Sequence, residues 1–163
     1  MALLDEIAGY MDAQSTAFTK LAGSAGNLAR GFMPDTSPAP DTIVALYETG
    51  GSAPVHTFST GTANTRYFEQ PRVQIIARSS DYPTAHNLIS KAFTLLDGVA
   101  NQDLASTGGS RYIDITAVQS PFSIGRDANS RFLMSVNFDV LKLVSGVVGD
   151  PGAFDSGFTG GFA

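Results

Sequence analysis

Between Leu3 and Leu21 the apolar residues Leu3, Leu4, Ile7, Tyr10, Met11, Phe18 and Leu21 recur at intervals of three and four. That spacing predicts a helix over residues 2–21 with one apolar stripe, stopped by Gly23 and Gly26. Three prolines between Phe32 and Asp41 exclude a helix and a central strand, so this stretch is expected to be a loop. The run Thr42–Glu48 is apolar and ends at Thr49-Gly50-Gly51, which suits a strand buried on both faces. From Gly50 to Gln70 the chain is rich in Gly, Ser and Thr and too long for an ordinary connection. It reads as a functional loop or as a projecting hairpin built from Val55–Thr60 and Thr65–Glu69.

After Pro71 the alternation of Val73, Ile75 and Ala77 predicts a second core strand over Arg72–Arg78. Asp81-Tyr82-Pro83 is a helix start, with Asp81 or Ser80 placed to cap free amides and proline tolerated in the first turn. Ala85, Leu88, Ile89, Ala92, Phe93 and Leu96 continue the helix until Gly98 closes it. Two further strands follow, Arg111–Gln119 with Ile113, Ile115 and Ala117 on its core face, and Arg131–Leu143. In the last, Phe132, Met134, Val136, Phe138 and Val140 alternate with more polar positions, the mark of a strand with one face on the helices. The expected fold class is α+β, an antiparallel or mixed sheet of about four strands packed on two helices. Residues 1–145 would form one domain, followed by a Gly-rich C-terminal arm over 146–163.

Composition narrows the function more by exclusion than by assignment. The formal charge is −5 and the basic residues are scattered, which speaks against a protein that grips nucleic acid with clustered Lys and Arg. With no cysteine there is no disulfide framework and no thiolate nucleophile or metal ligand. Charged residues make up only 15% of the chain, so part of its surface is expected to be covered by partners. The first residues lack the basic and apolar regions of a signal peptide, and no apolar run is long enough to span a bilayer; synthesis in a cytosol is the expectation.

No catalytic constellation emerges. His56 and His86 are the two histidines and are not at metal-ligand spacing; His56 reads as a solvated loop side chain and His86 as a partly exposed helical residue. There is no phosphate-binding glycine loop ending in Lys-Ser or Lys-Thr, and no serine is marked as a strained nucleophile. Asp5 and Glu6 read as polar-face residues that favour the first helix's N-terminus.

The segment Ser120–Arg131 is the most polar connection and by composition is a hairpin loop between the last two strands. Pro121, Ile124-Gly125-Arg126-Asp127, Arg131 and Val136-Asn137-Phe138 together resemble the closing hairpin of the phage minor capsid and tail-terminator proteins. Three more segments support the resemblance in order: Gly31–Asp35, Ile43–Gly51 and Val73–Arg78, with the expected helix after the last. The similarity runs from about Leu28 to Val140. It departs from the family's pattern at Ala128 and Ser130, where that pattern has an acidic residue and a glycine.

The resemblance implies a non-enzymatic structural protein of a tailed bacteriophage virion. Such a protein caps the tail tube as a hexameric ring at the head–tail junction, meets the head-closure or stopper protein on its other face, and needs no cofactor or metal. DNA would pass through the lumen without specific binding, and acidic groups such as Asp97, Asp103, Asp114 or Asp139 would repel its phosphates. The alternatives are a head-completion or stopper protein of the connector, or a small-molecule binding domain. Arg126, Asp127 and Arg131 are expected at or near a subunit interface, the arginines either bracing their own turn through Asp127 or crossing to a neighbour. Phe154, Phe158 and Phe162 in the arm are expected to dock on an adjacent subunit or ring protein, the alternative being a fold back onto their own domain.

Overall fold

The computed structural model describes residues 3–22, 25–35, 40–56, 64–104 and 110–147. Its elements run α1 (Leu3–Gln14), β1 (Leu28–Arg30), β2 (Ile43–His56), β3 (Asn64–Ser79), α2 (Tyr82–Leu96), β4 (Val99–Asp103), β5 (Arg111–Ala117), β6 (Phe122–Arg126) and β7 (Phe132–Val147). The class is α+β, but the sheet has seven strands where about four were expected. Its order is β1-β2-β3-β7-β5-β4, with β6 added beside β7. All pairings are antiparallel except β1 with β2, so the sheet is mixed.

Both helices cover one face. Ile7 and Met11 of α1 and Leu88, Ile89, Ala92 and Leu96 of α2 pack on Leu46, Val73, Ile75, Val136, Phe138 and Val140. α2 follows its sequence signals: Asp81 caps it by accepting the Thr84 N–H at 3.0 Å, and Gly98 at φ +82° turns the chain out of it. α1 is shorter than expected. It ends at Gln14 because the Ser15 hydroxyl takes the Ala17 N–H at 3.2 Å, a local bond that competes with another helical turn. Phe18 is buried all the same, from a turn held to the start of β1 by the Asn27 side chain.

The segment after Leu46 is a hairpin of long strands. β2 does not stop at Gly50-Gly51; it continues to His56, and β3 passes through Pro71. Proline in an inner strand is accommodated by a register shift between Glu48 and Gly51, which places Gly51 opposite Pro71. A Cβ on Gly51 would lie 2.1 Å from the Gln70 carbonyl oxygen, so only glycine fits this crossing. β7 pairs with β3 from Phe132 to Val147, two residues beyond the expected domain boundary. The outer half of β2, from Glu48 to His56, is exposed on both faces.

On the core half of the sheet the second face is covered too. Ile43, Ala45 and Ala29 are buried there beneath Leu21, Met33 and Tyr47, so Ile43–Leu46 are buried on both faces as their apolar run implies.

Two strand faces differ from the simple alternation. In β5 a bulge between Tyr112 and Asp114 takes Ile113 out of register, and Tyr112 occupies the core position instead. Tyr112 donates its hydroxyl hydrogen to Glu6, which is 2% exposed and not on a polar helix face. Lys142 lies 3.8 Å from the same carboxylate and 3.8 Å from Glu69, giving α1 a charged anchor beneath the sheet. Burial and the Glu6 carboxylate both push the Tyr112 phenol well above its ordinary pKa, so it stays a hydrogen-bond donor.

Candidate interface at the closing hairpin

β6 and β7 are joined by the turn Asp127–Arg131. Ser130 N–H donates to the Asp127 carbonyl at 3.0 Å, and Asp127 N–H to the Arg131 carbonyl at 3.0 Å. Ser130 sits at φ +62°, so the β-turn is closed by a left-handed residue. This is where the related pattern has glycine. The left-handed position is kept here by a serine, and the turn remains tight.

Its rigidity comes from Asp127. The carboxylate accepts the Asn129 N–H at 2.9 Å, the Arg131 N–H at 2.9 Å and the Arg131 Nε–H at 2.7 Å. Burial pushes this acid up, but the bonds from Arg131 and Asn129 outweigh it and hold it below the usual carboxylate range. Arg131 is itself buried and raised in pKa: the carboxylates of Asp127 and Asp35 outweigh its desolvation. Its guanidinium reaches Asp35 and lies 3.6 Å from Asp41.

Asp35 is the hub that sequence reading missed. It also takes a bond from Arg78 Nη1 at 3.2 Å and one from Asn129 Nδ2 at 3.5 Å. Arg78 is 2% exposed and donates through Nη2 to the carbonyls of Pro34 at 2.8 Å and Pro40 at 3.3 Å. Burial first, and the neighbouring Arg131 second, lower its pKa. Two buried arginines thus clamp the proline-rich loop onto the sheet face opposite the helices. The signal that could have found them was present, since Gly31–Asp35, Ile43–Gly51, Val73–Arg78 and the hairpin are the four resembling segments and all meet here.

Arg126 behaves differently. It is exposed, and its guanidinium lies 4.0 Å from the centroid of the Phe132 ring instead of joining the cluster. Phe154, Phe158 and Phe162 lie outside the described residues. Beside the braced turn all five residues of β6 are exposed, including Phe122 and Ile124, and Val118 just before it is also open. Among the described residues there is no cluster of acids, histidines or cysteines able to hold a metal ion, and no helix long and apolar enough to cross a membrane.

A family model described as bacteriophage tail terminator protein matches residues 8–143. The chain belongs to the bacteriophage tail terminator proteins. It is accordingly a structural protein of the virion tail, associated with other virion proteins, and the family speaks for a non-enzymatic role. A solved chain from the virion of a native gene transfer agent particle shares the tail terminator's fold at a TM-score of 0.53. Sequence identity is 13%, over 88% of this chain and 96% of that one. No curated protein matches the sequence.

Proposed function

We propose that this tail terminator caps the tail tube as a hexameric ring and joins it to the head-closure proteins at the head–tail junction. The observation that carries the reading is the closing hairpin: a turn braced inside its own chain by Asp127 and Arg131 presents an exposed strand, β6, at the opposite end of β7 from the open arm formed by β2, β3 and β7. A head-to-tail ring needs two different contact surfaces on each subunit, and a rigid edge supplies one of them. In this reading Arg126, on the exposed end of β6, faces a neighbour, while Asp127 and Arg131 hold the edge in shape. Residues 1–145 make the ring body, and Phe154, Phe158 and Phe162 of the 146–163 arm strap it to an adjacent subunit. The charge of −5 suits a lumen through which DNA slides without binding.

The test is the mass of the purified chain in solution, together with the phenotype of phage lacking it. The expected particle contains six copies of the 17.1 kDa chain, and the null phage makes tails of uncontrolled length or heads unjoined to tails. A chain that stays monomeric at every concentration, or a null phage with normal virions, overturns the reading.

A further inference from the structure

We propose that residues 154–162 of one copy add as a strand to the free edge of β6 in the next copy. This rests on the ring reading and names the acceptor for its strap. β6 pairs with β7 on one side only, and its opposite edge has no strand partner among the described residues. Such an edge offers unpaired N–H and C=O groups to an incoming strand. Here it also carries the half-exposed Phe122 and Ile124.

The arm has the matching pattern. Phe154, Phe158 and Phe162 are four residues apart, so in an extended chain all three lie on one face. Successive phenylalanines are then ~13 Å apart, the length of β6 from Phe122 to Arg126. Phe122 pairs opposite Ser135, on the face away from the helices, whereas Arg126 pairs opposite Phe132, on the helix face. A strand that lays its phenylalanines against Phe122 turns Asp155 to the side of Arg126. Among the described residues Arg126 engages a ring and no carboxylate, so the charges are complementary.

Reach decides for a second copy. Val147 ends β7 opposite Asn64, while β6 pairs with the other end of β7, at Phe132–Ser135. The thirteen steps from Val147 back to Met134 measure ~43 Å along the strand. The seven steps from Val147 to Phe154 extend at most ~25 Å. Eight steps carry Asp155 at most ~29 Å, so the register that sets Asp155 beside Arg126 cannot be formed with the chain's own β6, although Phe158 and Phe162 alone extend that far. Two other free edges fit less well: β4 presents Asn101, Gln102 and Asp103, and the outer part of β2 contains Pro54, which has no N–H to donate.

Complementation tests this. A chain ending at Val147 keeps the acceptor and lacks the donor, and full-length Phe122→Asp keeps the donor and spoils the acceptor. Each alone should associate at least tenfold more weakly than the parent in sedimentation velocity. Mixed in equal amounts they should form one-to-one dimers and nothing larger. A parent that is itself monomeric overturns the ring reading, and the present one with it. If the truncated chain assembles like the parent, the strap fails and the ring stands; if Phe122→Asp does, β6 is not the acceptor.

A disulfide trap covers the case in which Phe122→Asp fails to fold, because the chain has no cysteine of its own. Oxidising a mixture of Ser123→Cys and Thr159→Cys chains should link one of each. A double variant that closes only on itself, or a mixture that does not link, overturns the proposal.

Discussion

The Asp127 carboxylate and the Arg131 Nε are 2.7 Å apart across the five-residue turn, and the same guanidinium reaches back to Asp35, ninety-six positions earlier in the chain. One side chain therefore fastens a local turn and a distant loop at once. Arg131→Ala should destabilise the protein by ~2–3 kcal/mol, because the carboxylates it pairs would lose their buried partner. Arg131→Lys should recover little, since an ammonium cannot fork between Asp127 and Asp35. Arg126→Ala, which loses one exposed ring contact, should cost under ~1 kcal/mol. Urea unfolding ranks the three variants, and equal losses for Arg126→Ala and Arg131→Ala would refute the assignment.

The brace has a pH window. Asp127 is lowered in the folded chain relative to its unfolded value, so its contribution is fully present above the unfolded carboxylate range and is lost as pH falls through the lower folded value. The stability difference between the parent and Asp127→Asn should be constant from neutral pH down to about pH 5 and shrink in more acidic solution. Denaturation midpoints measured across this range check the sign; a difference that grows on acidification contradicts it.

Ser130 holds φ +62°, a conformation in which a side chain is strained and glycine is not. Ser130→Gly should raise stability by ~0.5–1 kcal/mol, the strain relief being partly offset by the greater freedom of glycine in the unfolded chain. Thermal unfolding measures this directly. A lowered melting temperature would mean that the serine makes a compensating bond.

Beneath α1, Tyr112 and Glu6 form a buried donor–acceptor pair with Lys142 beside them. Tyr112→Phe should cost ~1–3 kcal/mol, since the Glu6 carboxylate is left with fewer partners out of water. Paired with Glu6→Gln in a double-mutant cycle, it should show a coupling above ~0.5 kcal/mol. Additive losses would place the two residues in separate environments.

Local chemistry was enough for the elements whose signals lie within a few residues of one another. Asp81, Pro83 and Gly98 bound α2, and the alternation from Phe132 to Val140 marks the core face of β7, because capping and side-chain period act between near neighbours. The same reasoning misjudged Glu6, which looked like a polar-face acid, and Ile113, which looked like a core residue. A bulge in β5 exchanged Ile113 for Tyr112, and only then did a buried hydroxyl exist for Glu6 to accept from. Strands β1, β4 and β6 carry too little apolar pattern to be seen alone; they are strands because β2, β5 and β7 offer them backbone partners. The cluster around Asp35 follows the same division. Asp127 and Arg131 stand four residues apart and their pairing was legible, but Asp35 and Arg78 join them only when the sheet brings the proline-rich loop, β3 and the closing hairpin together on one face. Periodicity describes which way a side chain points along its own strand; which charge it meets there is decided by long-range register, and that exists only in the folded sheet.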